Sequence, residues 1–286
     1  MKLRAVNSAT LQFRFRSTHA NHLRTSPRST WCVSALVLFF AAISLTPTGF
    51  AAQNLVNEAL PHPPAPSVTP TILIGFVGGR VRHDDPNHAE VQLAERLHRE
   101  YPKELEVRVF ENRHEEQAYR LILHSLDSDH DGRLSAAEKQ RARIILYGHS
   151  WGGSAVVTLA RALARDRVPV LLTVQIDSVA KIGENDRVLP ANVERGVNFY
   201  QPDGLIHGAS LITAADPSRT QILGNFRFDY HARPVACPGY PWYDYYLYRA
   251  HTEIECDPRV WSQVETLIRD EISSPVKNLA TTAAPQ

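Results

Sequence analysis

The stretch Ile144-Ile145-Leu146-Tyr147-Gly148-His149-Ser150-Trp151-Gly152-Gly153 constrains the fold more than any other part of the chain. Its apolar start reads as a buried strand, and Val156, Leu159, Ala160 and Leu163 recur at helical spacing behind it. Between strand and helix stands G-x-S-x-G, a turn that lifts a serine to where its hydroxyl can attack a carbonyl. So sharp a reversal leaves little room for side chains beside residue 150. Gly148 and Gly152 flank it for that reason.

The neighbouring segments alternate. Thr71-Ile72-Leu73-Ile74 is a β-branched apolar run ending in the glycine loop Gly75-Phe76-Val77-Gly78-Gly79, so a buried parallel strand is expected there. Helices are expected over 87–99 and 115–126, and strands over 106–110, 168–176 and 196–201, with a weaker strand at 245–248. Val260, Val264 and Leu267 mark a terminal helix, for which Asp257-Pro258 supplies the N-cap and first position. Strands and helices in this alternation predict an α/β class fold: a doubly wound, mostly parallel sheet with helices on both faces.

A serine hydroxyl needs a base within hydrogen-bond reach and an acid to orient that base. Downstream of Ser150 the chain offers Asp177 at the end of a strongly apolar strand, and His251 before the terminal helix. The order Ser, Asp, His and the G-x-S-x-G turn resemble the α/β-hydrolase superfamily over about residues 71–272. The resemblance implies Ser150 as nucleophile, His251 as general base and Asp177 as orienting acid. Asp203, just past Phe199-Tyr200-Gln201, is the competing acid, and His207 and His231 are the competing bases. His149 is expected to point away from the serine, as a turn residue. Oxyanion donors are expected from the backbone N–H of Trp151 and from Phe76 or Val77 in the glycine loop. Ile74 stands before Gly75 where the family commonly has His, which leaves the register of the second donor open.

A second pattern runs from Asp127 to Glu138 and fits a twelve-residue EF-hand loop. Asp127, Asp129 and Asp131 would supply carboxylate oxygens, Arg133 its carbonyl, Ser135 a direct or water-mediated contact, and Glu138 a bidentate carboxylate. Gly132 permits the turn. The loop occurs once, between two helical stretches, so the expectation is a structural Ca2+ rather than a sensor pair; an acidic solvated turn is the alternative. No organic cofactor is expected. Arg82-His83-Asp84-Asp85 and His88 fit no zinc spacing.

Six of the 31 Lys and Arg residues precede the first acid, leaving 25 against 30 Asp and Glu in the remainder. A mildly acidic body argues against nucleic acid as a partner. The basic run leads into apolar residues 31–45 and small residues at Gly49 and Ala51, which read as a signal peptide over 1–51 for a secreted or periplasmic protein. An uncleaved N-terminal membrane anchor is the alternative. Five prolines between residues 53 and 70 make a linker, residues 71–273 the folded domain, and 274–286 a flexible tail. Cys237 and Cys256 form an even pair suited to a disulfide, with two buried thiols as the alternative. Aromatic residues crowd 226–248 and would either line a cleft or pack. The expected activity is hydrolysis of a small-molecule or lipid-like carboxylic ester or thioester; a non-catalytic relative using the fold and calcium loop for binding or scaffolding is the rival.

Overall fold

The computed structural model describes residues 70–274. The signal or anchor segment, the linker up to residue 69 and the tail from residue 275 lie outside the described residues. The chain runs in order through β1 (Thr71–Val77), α1 (Ala89–Glu100), β2 (Leu105–Glu111), α2 (Glu115–Leu126) and the short α3 (Ala136–Gln140). Then β3 (Ile144–His149) enters the serine turn, α4 (Trp151–Arg165) leaves it, and β4 (Val170–Ile176) follows. Beyond it come β5 (Val188–Leu189), β6 (Val193–Tyr200), β7 (Thr213–Ala214), β8 (Gln221–Arg227), α5 (Trp242–Leu247), α6 (Arg249–Cys256) and α7 (Pro258–Ser273).

Six strands form one sheet in the order β2-β1-β3-β4-β6-β8, and every neighbouring pair is parallel. The two short strands β5 and β7 pair separately. Successive side chains of a strand face opposite ways, so the fully buried central strands serve two layers at once. Ile72, Ile74 and Phe76 of β1 pack with Ala118 and Ile122 of α2 and with Val156, Leu159 and Leu163 of α4. Leu73, Ile145, Tyr147 and Val174 pack instead with Leu93 and Leu97 of α1 and with Val260, Val264 and Ile268 of α7. Helices therefore cover both faces, as a doubly wound α/β fold requires. Each buried Leu or Ile contributes roughly 1.5–3 kcal/mol, so β1, β3 and β4 form a rigid base for the residues at their carboxyl ends.

Asp257 caps α7, accepting from Arg259 N at 2.8 Å, and Pro258 takes the first helical position. The strand expected at 245–248 is absent. Its residues lie in α5 and the turn into α6, and Trp242 and Tyr246 stand exposed. Aromatic side chains favour strands only where a pleated neighbour exists to pack on. In α6 the buried Ala250, His251 and Ile254 recur at helical spacing, and that burial selects the helix. Cys237 and Cys256 are joined in a disulfide with Cα atoms 5.8 Å apart, which ties the loop before α5 to the last residue of α6.

Close packing also explains the glycines of the serine turn. A methyl group at Gly152 would stand 2.1 Å from the Phe76 carbonyl oxygen, and backbone cannot swing aside as a side chain can. Gly152→Ala is expected to destabilise the protein by about 1–3 kcal/mol. The measurement is the urea midpoint at unchanged slope; a midpoint equal to wild type would mean that α4 lifts off β1 at no cost.

Candidate active site

Ser150 sits between the last residue of β3 and the first of α4 with φ at +57°, a left-handed conformation that costs a non-glycine residue energy. The turn is held from both sides. Ser150 N donates to Ile176 O at 3.0 Å, and Ser150 O accepts from Val179 N at 3.1 Å and Gly153 N at 3.0 Å. The strained residue is thus fixed to the end of β4, where Asp177 also has a positive φ, +43°.

The structure brings Ser150, His251 and Asp177 together. Ser150 Oγ lies 2.8 Å from His251 Nε2, and His251 Nδ1 lies 2.6 Å from Asp177 Oδ2. Asp177 is fully buried, and burial alone would push its carboxyl up. Hydrogen bonds from His251, Gln201 and Gly208 outweigh that effect and hold it below the usual carboxylate range. An ionised carboxylate only accepts, so Nδ1 of His251 carries the proton and Nε2 is left to accept from the serine hydroxyl.

Gln201 and Gly208 are the partners that the sequence did not single out. Gln201 Nε2 donates to Asp177 Oδ2 at 2.8 Å, while Gly208 N and Gln201 N donate to Oδ1 at 2.7 and 3.3 Å. Asp203 is turned elsewhere: it accepts from Tyr230 N at 3.2 Å and faces the exposed His231 at 3.5 Å. His207 bonds its neighbour Gly208 O at 3.3 Å. Neither His207 nor His231 bonds Ser150.

His251 lies within α6, not in a loop before the last helix, and His149 is more than a turn former. The His149 ring lies 4.5 Å from that of His251, and its Nε2 is 3.2 Å from His251 O. On its other side, His149 Nδ1 is 3.3 Å from Glu255 Oε2, one helical turn after His251. Burial lowers the pKa of His149 to about 4 against the pull of Glu255, so the ring is neutral. His88 bonds Glu255 Oε1 as well; burial opposes its charge, but Glu255 prevails and raises it to about 9.

The backbone N–H of Trp151 heads α4 and, as a first-turn donor, has no carbonyl to bond within the helix. Phe76 and Val77 complete β1, and the next residue, Gly78, abuts the serine: a methyl group there would meet Ser150 Cβ at 2.9 Å. Asn112 Nδ2 fixes this loop by donating to Val77 O at 3.2 Å and Gly79 O at 2.6 Å.

In the acidic loop, carboxylate oxygens of Asp127, Asp129 and Asp131 lie within 4.8 Å of one another. Gly132 has φ at +79° and donates its N–H to Asp127 Oδ2 at 3.0 Å, while the buried Asp127 Oδ1 has no partner. Arg133 N donates to Asp131 Oδ1 at 2.7 Å. Ser135 and Glu138 do not join the aspartates. They form a capping box at the start of α3, and the Glu138 carboxylate takes the N–H and hydroxyl donors of both Ser128 and Ser135. A helix as short as α3 depends on its caps, and that demand competes for these two side chains.

The aromatic stretch divides between the two expectations. Phe228 and Tyr230 pack behind Phe199, and Tyr230 donates to Asp257 Oδ2 at 3.0 Å. Tyr246 and Tyr248 instead line a cavity with Leu205, Ile206 and Ala250, the neighbour of His251.

No family model matches the chain, and no curated protein matches it. Solved structures do. The RedJ thioesterase from the prodiginine biosynthetic pathway in Streptomyces coelicolor is 12% identical with a TM-score of 0.35, over 73% of this chain and 98% of that one. A YdeN-like hydrolase from Pectobacterium atrosepticum is 13% identical with a TM-score of 0.32, over 65% and 91%. A dienelactone hydrolase-like promiscuous phosphotriesterase from metagenomic libraries is 12% identical with a TM-score of 0.34, over 71% and 87%.

Proposed function

We propose that the protein is a serine hydrolase that cleaves a carboxylic ester or thioester through an acyl-enzyme on Ser150. The observation that carries this reading is the unbroken hydrogen-bond chain from Ser150 Oγ through His251 to the buried Asp177. In the first step Oγ attacks the carbonyl carbon while His251 Nε2 takes the hydroxyl proton. The oxyanion is received by the N–H of Trp151 at the positive end of α4 and by backbone where Val77 passes into Gly78. Collapse expels the alcohol or thiol, which leaves with the proton from His251. Water then attacks the acyl-enzyme by the same route and frees the acid. A fluorophosphonate probe should label Ser150 and lose its site in Ser150→Ala, and p-nitrophenyl esters of increasing length should rank the acyl groups. Absent labelling of the intact protein would leave the non-catalytic reading.

The acidic loop is proposed to hold a structural Ca2+. Three converging carboxylates and the unpartnered Asp127 Oδ1 support it, with the Arg133 carbonyl as a further oxygen. Bound there, the ion would neutralise the loop just ahead of β3. At a Ca2+ concentration a hundredfold above Kd the stabilisation is about 2.7 kcal/mol. A chelator should therefore lower Tm by roughly 5–10 °C, and Asp127→Asn should abolish that difference; an unmoved midpoint in the wild type would count against the ion. Export to an oxidising compartment is proposed as well, and the Cys237–Cys256 disulfide supports it.

A further inference from the structure

We propose that His88, Glu90 and Glu255 form a second metal site, one for a transition ion of the zinc class, buried behind His251. His88 caps α1, Glu90 lies in its first turn, and Glu255 lies near the end of α6. One ligand atom from each of the three lies within 4.8 Å of the other two. Glu90 has no solvent exposure, and neither of its carboxylate oxygens has a hydrogen-bond partner.

A buried carboxylate in that position is costly in either state: ionised it faces Glu255 with only the His88 ring to offset the pair, and protonated its O–H has no acceptor in bonding range. A divalent cation resolves both, because two carboxylates balance its charge and their oxygens gain a ligand. His88 already turns Nδ1 toward Glu255, while its Nε2 faces Asp85 Oδ2 at 3.9 Å, on the side where an outer carboxylate commonly orients a metal-binding imidazole. The Tyr240 hydroxyl is buried beside Glu255, with its ring 5.3 Å from that of His88. A donor set of one imidazole nitrogen and two carboxylates suits Zn2+, whereas Ca2+ and Mg2+ take oxygen ligands. The ion would also lie one side chain from the hydrolytic centre, since Glu255 reaches His251 O through His149.

Metal content tests this apart from any turnover, so its failure and that of the hydrolase reading are separable. The full folded chain, stripped by chelator dialysis and held in excess Ca2+, is titrated with Zn2+ against a chromophoric chelator. Wild type and Asp127→Asn should each bind about one ion per chain. Glu90→Gln should lose that binding, and Asp85→Asn should weaken it about 10–100-fold. Zn2+ bound no more tightly by wild type than by Glu90→Gln, or lost in Asp127→Asn alone, overturns the site. Should Glu90→Gln fail to fold by circular dichroism, Co2+ loading of the wild type decides. An intense visible d–d band reports a low-coordinate site; a pale octahedral spectrum overturns it.

Discussion

Replacing Ser150 by alanine is expected to lower turnover of an activated ester by roughly 10⁴- to 10⁶-fold while leaving Tm close to that of the wild type. The Oγ atom accounts for a single hydrogen bond, to His251, and the turn is held by backbone contacts to Ile176, Val179 and Gly153 that alanine keeps. Alanine also retains the left-handed strain at φ +57°. Ser150→Gly would relieve that strain, and it should be as inactive as the alanine variant yet more stable than it by about 1 kcal/mol. Steady-state ester hydrolysis and thermal unfolding of both variants separate the chemical loss from the structural one. An alanine variant that kept more than about a hundredth of the wild-type rate would remove Ser150 from the chemistry.

The strands that carry the site were the readable ones. β1, β3 and β4 are buried on both faces and so appear as unbroken apolar runs. β8 is an edge strand, Gln-Ile-Leu-Gly-Asn-Phe-Arg, with both ends exposed, and it carries no such run to mark it as a strand. The two-residue strands β5 and β7 are too short to leave a periodic trace. Aromatic residues in α5 imitate a strand because propensity is local, while the burial that sets α6 as a helix comes from the sheet beneath it.

His149 shows what a strand period can still deliver. Ile145, Tyr147 and His149 share one face of β3, and Tyr147 packs on the same side as Ala250 and Ile254 of α6. That places His149 under His251, as the last residue of the strand and not a turn residue. Glu255 was harder to see, because its position one turn after His251 matters only once α6 is known to be a helix. Of the two acids grouped with His88, Glu90 is local but Glu255 lies on a helix far along the chain, so no local zinc spacing displays the set.

Asp177→Asn should cost about 10⁴-fold in kcat, whereas Asp203→Asn should leave ester turnover within a few fold of wild type. Both residues follow strand candidates, Asp177 is the first choice because its strand is strongly apolar, and the geometry separates them. Asp177 takes donors from His251, Gln201 and Gly208, and its ionised oxygen is what fixes the proton on Nδ1 of His251. An asparagine there keeps the size and tolerates the positive φ of +43°. Its side chain would present either an amide donor to Nδ1, which forces the proton onto Nε2, or a neutral oxygen that no longer stabilises an imidazolium. The first removes the base from the serine and the second weakens it, while the site keeps its shape. The Asp203 carboxylate meets the Tyr230 N–H and an exposed histidine, and its backbone N–H, which donates to Gln201 Oε1 at 2.6 Å, is kept in the asparagine variant, so the change touches loop packing and not the hydrogen bonds of His251. Kinetics of both variants on one ester, with folding checked by circular dichroism, test the assignment; a deep loss in Asp203→Asn with Asp177→Asn still active would reverse it.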